Sequence, residues 1–596
     1  MSEYSAPLDD IRFVLENVVD LAGLSKFPAY EHIDADTVFG VLEENARFME
    51  QLVAPLNRSG DIQHSRWDAG TVTTPDGFRE AYQQYVSAGW GGVPFPADYG
   101  GGGFPWIVGV VMQEIMQEAN LAFSMCPLLT QGAIDMLLHH SDEGQKEKYL
   151  PKMVTGEWTG TMNLTEPQAG SDVGAVATKA VPSADGDGSW RITGQKIFIS
   201  FGEHDMADNI IHLVLARVPD APPGTKGISC FIVPKVLVDD DGNLGERNSL
   251  QCVSIEEKMG INASPTCVMA YDDAVGYLIG EPNAGMRYMF TMMNSARLSV
   301  GLQGLALGER AYQKAVAYAH ERRQGRAPGA PAGTQSPIVE LPDVRRMLLT
   351  MRALNEASRC IAFLNAECFD LALHHPDEAV RQQRSELADL LTPITKGWGT
   401  DMGVEVTSLA LQVFGGMGYI EETGVAQHYR DARIAPIYEG TNGIQAMDLV
   451  GRKLPMRAGG VIMDFLGSIS ATADEVAAAG SDELAPIGAR LADGHRVLKE
   501  ATEWLMTNGL ADPVNVLAGA TPFLRMAGTV TGGWLLARSA LAAQRRLDVG
   551  ASGDDAELLR QKIVTARFYC DQLLPQADGF LAAVTAGPTD LTAAVF

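Results

Sequence analysis

The apolar period changes twice along this chain. Up to about residue 160 it is helical: "HIDADTVFGVLEENARFMEQLVAPL" follows an Asp cap candidate, and "IVGVVMQEIMQEANLAFSM" is strongly apolar. From about 160 to 280 the segments turn short and β-branched. "WRITGQKIFIS", "IIHLVLARV", "GISCFIVPK" and "TCVMAYDDAV" are parted by turns such as "ADGDG" and "PPGTKG". Helical spacing returns from about 283. This order excludes the alternating βαβ pattern of a parallel nucleotide-binding sheet. No G-x-G-x-x-G occurs, and the cluster "GGMG" has the wrong spacing and lies between helices.

The pattern predicts a mainly α chain with a central β domain. An N-terminal extension covers 1–40 and a helical N-terminal domain 41–160. An antiparallel, barrel-like β domain follows over 161–282, then a C-terminal four-helix bundle over 283–456. Ala/Leu-rich helices over 457–596 read as an appended helical domain, joined by "AAAGSDELAP", "NGLADP" and "GASGDD".

The formal net charge is −28 over 596 residues. Such a surface repels nucleic acid and anionic membranes. The seven cysteines are odd in number and form no Cys-x-x-Cys, which suits reduced thiols in a cytoplasmic protein rather than a disulfide or zinc scaffold. The acidic N-terminus carries no signal-peptide pattern, and no apolar run reads as long enough to span a bilayer.

Several short stretches admit both a plain and a functional reading. "MNLTEPQAGSD" is either a hydrophilic turn or a strand edge whose backbone and hydroxyls, Thr165 and Ser171, meet a planar polar ring. In "QKIFIS", Phe198 and Ser200 share a strand face, either as sheet core or as a surface for a cofactor. "QVFGGMGYI" is a helix C-cap or a close backbone approach to pyrophosphate. Arg322 in "HERRQGR" is a solvated helix-end arginine or a phosphate partner. "NSARLS" puts Asn294 and Arg297 at i, i+3, on a helix surface or holding a polar ligand arm. "IYEGTNGIQ" sets Glu439 between Tyr438 and Gly440, as a turn carboxylate or a base.

"TEPQAGSD", "GQKIFIS", "LQVFGGMGYIEE" and "YRDARIAPIYEGTNGIQ", in this order and within a helix–β–helix chain, resemble the acyl-CoA dehydrogenases from about residue 40 to 453. The extra N- and C-terminal segments look like the large bacterial subgroup that includes the 3-methylmercaptopropionyl-CoA dehydrogenases. The resemblance implies FAD, an acyl-CoA substrate, an electron-transferring flavoprotein as acceptor, a homodimer or homotetramer, and a place in fatty acid β-oxidation. It implies flavin contacts from Met162, Leu164, Thr165, Ser171, Phe198 and Ser200. Arg322, Gln412, Gly415 and Gly416 would meet the adenine and pyrophosphate portion across a dimer interface, and Thr441 would bind FAD from the loop after the base. Ser171, Asn294, Arg297, Tyr438 and Gly440 would serve the substrate. Two positions depart from the family pattern: Gln324 stands in or near an aromatic's place, and Gly443 replaces the usual Gln beyond the loop threonine.

Removing a proton alpha to a thioester needs a carboxylate base, donors at the thioester oxygen and a hydride acceptor. The resemblance gives Glu439 the first role. Relatives that carry the base on the helix before the arginine would place it at residue 296, which here is Ala296. The helix over 106–119 is expected to face the acyl tail, with Met112, Ile115 and Met116 as its floor. An acyl-CoA oxidase is the near alternative. A flavin-containing DNA-binding relative is disfavoured because residues 457–596 hold 11 Lys/Arg against 16 Asp/Glu.

Overall fold

Helices begin where the sequence supplies a cap. The Asn120 side chain accepts from Phe123 N at 3.1 Å and starts helix Leu121–His140; Asp142 accepts from Gln145 N at 2.8 Å and starts Glu143–Thr155. The latter ends at Gly156, whose φ of +87° closes the helix. These elements belong to a computed structural model that describes residues 4–596, the side chains of Leu510 and Ala511 excepted. It comprises two compact units: residues 44–296, and residues 4–43 with 297–596.

In the first unit, helices Trp106–Ala119, Leu121–His140 and Glu143–Thr155 precede a seven-stranded sheet. The strand order is Trp158–Asn163, Asn209–Ala216, Ser229–Pro234, Thr266–Leu278, Trp190–Ser200, Lys179–Pro182, and Leu250–Ile255 also pairs with Thr266–Leu278. One pairing corrects the all-antiparallel expectation. Trp158–Asn163 runs parallel to Asn209–Ala216, because two other strands intervene in sequence and give the chain room to cross over. Strand Thr266–Leu278 changes partners along its length, with a register shift between Tyr271 and Ala274 where Asp273 has a φ of +58°. Ile134, Leu137, Leu150 and Met153 from the helices pack with Ile211, Leu213 and Ile232 from the strands.

A second correction concerns apolar runs. Helix Leu121–His140 is long and apolar enough to cross a membrane by length and composition, but 89% of its most apolar window is buried. It lies against strand Trp158–Asn163: a Cβ added to Gly160 would sit 2.5 Å from Ala133 Cβ. A core helix packed on both sides has the same composition as a span.

The second unit is helical. Gly285–Glu321 enters it at Arg297, and Pro342–His374 and Glu378–Phe414 pack beside it, at Gly308 against Asn355 and at Gly301 against Thr395. The fourth bundle position is split into short helices Val425–Ala432 and Asn442–Asp448, with an irregular loop between them. Helices Gly285–Glu321 and Glu378–Phe414 touch backbone to backbone: a Cβ on Gly403 would lie 2.4 Å from Gly304 Cα, and one on Gly304 would lie 2.3 Å from Gly399 O. Only glycine permits this approach.

Five further helices, from Gly460–Ala478 to Gln576–Thr585, complete most of the unit. A Cβ on Gly528 of helix Pro513–Asp548 would meet Trp398 Cγ at 2.2 Å. The N-terminal segment is tied into the same unit. Lys562, 2% exposed, bonds Asp10 and lies 3.3 Å from Glu356; Asp20 N donates to Glu367 at 2.6 Å, and Tyr30 Oη to Asp370 at 2.7 Å.

Candidate functional site

The candidate residues fall into the two units. In the first, the chain leaves strand Trp158–Asn163 and turns through Leu164, Thr165 and Glu166. The Thr165 carbonyl accepts from Ile197 N at 2.9 Å, and Lys196 Nζ donates to Leu164 O at 3.1 Å and to Glu166 Oε1 at 2.8 Å. These bonds hold Met162–Thr165 alongside Phe198–Ser200. Glu166 also accepts from Thr178 N at 3.0 Å, Thr178 Oγ1 at 2.6 Å and Ala177 N at 2.7 Å. Burial raises the Glu166 carboxyl, but the Lys196 ammonium and these bonds outweigh it and bring it down to about 2. The pair is charged at neutral pH.

Phe198 is 59% exposed. Its φ is +60°, and the pairing register shifts beside it. The register shift falls between Lys196 and Ile199, so both of these are buried, while Phe198 and Ser200 flank Ile199 on the opposite side. Ser171 is exposed on the following loop. Met112, Ile115 and Met116 are buried, and Met112 and Met116 line a small cavity with Asn45, Gln113 and Gln131.

In the second unit, the loop between Val425–Ala432 and Asn442–Asp448 carries Glu439. Ile437 N donates to Ile434 O at 2.8 Å, Tyr438 N to Ile434 O at 3.2 Å and Asn442 N to Pro436 O at 3.0 Å. Two consecutive residues are left-handed, Glu439 at φ +57° and Gly440 at φ +82°. Thr441 ends the loop as an N-cap, its hydroxyl accepting from Ile444 N at 3.2 Å. The Gly440 carbonyl accepts from Lys396 Nζ at 2.8 Å and Gln445 Nε2 at 3.2 Å. Tyr438 Oη donates to Gln303 Oε1.

Glu439 is half-buried. Burial pushes its carboxyl above the ordinary range, while the charges of Lys396 and Arg297 pull it back. Arg297 is itself 6% exposed, with Nη1 3.5 Å from Asp448 Oδ2. Asn294 lies three residues earlier on the same helix and is half-buried. Ala296, between them, is buried and carries no acid.

The remaining candidates cluster around a stacked pair. The rings of Tyr318 and Phe414 lie 4.1 Å apart at 12°. This brings the end of the Arg322 helix near Gln412, Gly415 and Gly416. Gly415 caps its helix by donating to Gln412 O. Gln412, Gly415, Gly416 and Arg322 are all exposed. Arg322 Nη2 lies 3.4 Å from Gln324 Oε1, so the departure from the family pattern at 324 places an acceptor beside this arginine.

Sequence reasoning passed over Lys396, Gln303, Asn442 and Gln445. Lys396 in "LTPITKGWG" is 0% exposed. Its one signal was position: a lysine flanked by small and apolar residues inside a helix that has no polar face there.

Four family profiles match in order. They are described as acyl-CoA dehydrogenase N-terminal domain over residues 41–157, middle domain over 161–274 and C-terminal domain over 283–454, and acetyl-CoA dehydrogenase C-terminal like over 465–594. A 3-methylmercaptopropionyl-CoA dehydrogenase of Ruegeria pomeroyi is 47% identical, covering 99% of this chain and 100% of the relative. A butyryl-CoA dehydrogenase of Syntrophomonas wolfei is 36% identical, covering 98% and 97%. Among solved structures, Caenorhabditis elegans ACDH-11 in complex with C11-CoA superposes with a TM-score of 0.75 at 19% identity, covering 96% of this chain and 92% of that one. An acyl-CoA dehydrogenase of Bacillus anthracis complexed with FAD gives 0.73 at 19%, covering 94% and 90%. A structure titled for the electron transferring flavoprotein of Acidaminococcus fermentans gives 0.58 at 25%, covering 70% and 97%.

Proposed function

We propose, for a chain that belongs to the acyl-CoA dehydrogenase family and is a dehydrogenase acting on acyl-CoA, that Glu439 is the base that takes the proton alpha to the thioester carbonyl. The product is a trans-2-enoyl-CoA. FAD, when bound, supplies the acceptor for the β hydrogen as hydride. An electron-transferring flavoprotein is the proposed onward acceptor, in keeping with the structural likeness just described.

The observation that carries this reading is the state of Glu439. It is half-buried on a loop held by bonds from two side chains, and burial raises its carboxyl above the ordinary glutamate range against the pull of Lys396 and Arg297, the direction that strengthens a base. The Glu439 backbone N–H is the proposed donor to the thioester oxygen. Gly440 leaves room for the acyl carbon to approach. Arg297 and Asn294 are assigned to the CoA arm, as is Ser171.

The residues fit a flavin. Phe198 presents a mostly exposed ring, an apolar face open to a planar ligand. At Gly415 and Gly416 an added Cβ would meet nothing within 4 Å, so the backbone there is open to a close ligand. Met162, Leu164, Thr165, Ser171, Phe198 and Ser200 are proposed to hold the ring system. Gln412, Gly415, Gly416 and Arg322 would hold the adenine and pyrophosphate part of a neighbouring subunit's FAD. The Thr441 hydroxyl accepts one bond within the chain and keeps its own proton to donate.

The test is Glu439→Gln. The amide keeps size and shape but cannot take the proton. FAD content and acyl-CoA binding are expected to persist while turnover falls about a hundred- to ten-thousand-fold. Flavin bleaching by substrate at the wild-type rate would place the base elsewhere.

A further inference from the structure

The geometry points to Lys396 as a positioning residue that fixes the left-handed Glu439 loop from below, through Gly440 and Asn442. This rests on the reading of Glu439 as the base. Lys396 lies in the interior of helix Glu378–Phe414 and is 0% exposed. Burying an ammonium is expensive unless its protons are well placed. Its two hydrogen bonds go to neutral oxygens, Gly440 O at 2.8 Å and Asn442 Oδ1 at 2.9 Å. The buried ammonium is thus committed to one loop carbonyl and to the side chain that opens the helix after the loop.

That loop needs holding. A non-glycine residue at φ +57° is strained, and persists only when its surroundings over-determine it. The constraints converge on the residues just after Glu439. Gly440 O takes two donors, Lys396 and Gln445. The Asn442 amide faces the same helix as Lys396, its Nδ2 donating to Gly397 O at 2.9 Å and Asp401 Oδ1 at 2.7 Å. The helix cannot retreat from this contact. Gly397, next to Lys396, is backed by Leu524, which an added Cβ would meet at 2.6 Å. Lys396, Asn442 and Asp401 therefore form a fixed bracket beneath the base.

The bracket also sets the charge around the carboxylate. Lys396 and Arg297 are the cations that favour its ionised form; Asp401 faces Lys396 from its own helix. Removing the Lys396 charge lets burial raise Glu439 further.

The experiment compares wild type, Lys396→Met and Glu439→Gln holoenzymes by anaerobic stopped-flow reduction, acyl-CoA titration and flavin content, across pH. For Lys396→Met we expect unchanged FAD content, a substrate Kd within about threefold, reduction slowed about tenfold or more, and an acid limb moved up by about half a pH unit. Reduction at the wild-type rate with an unmoved limb overturns the role. So does a slower rate explained by weakened acyl-CoA binding with the limb unmoved. If Lys396→Met does not fold, Asn442→Ala removes the other half of the bracket. It must slow reduction with FAD retained, and wild-type behaviour there also overturns the proposal. Rapid bleaching by Glu439→Gln defeats the reading of the base itself, a separate outcome.

Discussion

Lys196 Nζ lies 2.8 Å from Glu166 Oε1, with the two side chains 0% and 4% exposed. This pair pins the Leu164–Thr165 segment to the strand that bears Phe198. Glu166→Gln leaves the ammonium buried without its counter-charge, and is expected to cost about 3–5 kcal/mol in urea unfolding of the apoprotein. The linkage has a definite sign. Glu166 titrates at about 2 when folded against an ordinary 4.5, so its contribution is complete above about pH 4.5. It is lost as pH falls from there toward 2. Glu166→Gln should flatten that part of the stability profile, and an unchanged profile would contradict the pairing.

A second pH signature belongs to Lys396. Burial lowers it from 10.5 to about 7. Between these values the folded chain holds fewer protons at this site than the unfolded chain, so stability gains with rising pH. Wild type should therefore show a steeper gain between pH 7 and 10.5 than Lys396→Met, read from urea midpoints. Glu439 acts oppositely. Its raised carboxyl makes the folded chain hold the extra proton above pH 4.5, so stability falls as pH rises through that window.

Catalysis should follow Glu439 in its ionised form. The rate of flavin reduction is expected to climb with pH through an apparent pKa above the ordinary glutamate value of 4.5. An acid limb at or below that value would show a solvated carboxylate, with no desolvated base.

Gly416→Val tests the proposed pyrophosphate contact. A Cβ there meets nothing within 4 Å, so folding should be unaffected. FAD retention on gel filtration should drop, and light scattering should report the same oligomeric state as wild type. Full flavin content would remove the role given to this glycine.

Gly528→Ala probes the packing behind the base loop. The new Cβ would lie 2.2 Å from Trp398 Cγ, and Trp398 is 1% exposed with little room to move. Overpacking of this kind costs about 1–3 kcal/mol. A lowered Tm is expected, and an unchanged Tm would mean that the helices can part there.

The order of elements was legible because it rests on periodicity, which is local. The helical, β, helical succession and the uninterrupted helix from about 285 are visible in the apolar spacing alone. Register was not. The parallel pairing of Trp158–Asn163 depends on where strands some fifty residues later in sequence come to lie. Helix Leu121–His140 misled because a helix buried all round lacks a polar face. Of the site, Glu439 stood out through its flanking residues. Lys396 did not, because its partners, Gly440 and Asn442, follow it by 44 and 46 residues, and no spacing rule links a helix lysine to a loop carbonyl. The N-terminal segment gave no hint that Asp10 meets Lys562, 552 residues away.

The contact between Gly304 and Gly403 bears on how this enzyme can be altered. With backbone against backbone, the two helices have no side-chain cushion to absorb a change elsewhere. Arg297 rides on one helix and the Lys396 bracket on the other. Their separation is a property of main-chain geometry, as in a welded joint rather than a bolted one. A substitution at either glycine would spread the frame on which Arg297 and the bracket under Glu439 are mounted and, on the reading of Glu439 as the base, would detune the reaction for every substrate at once.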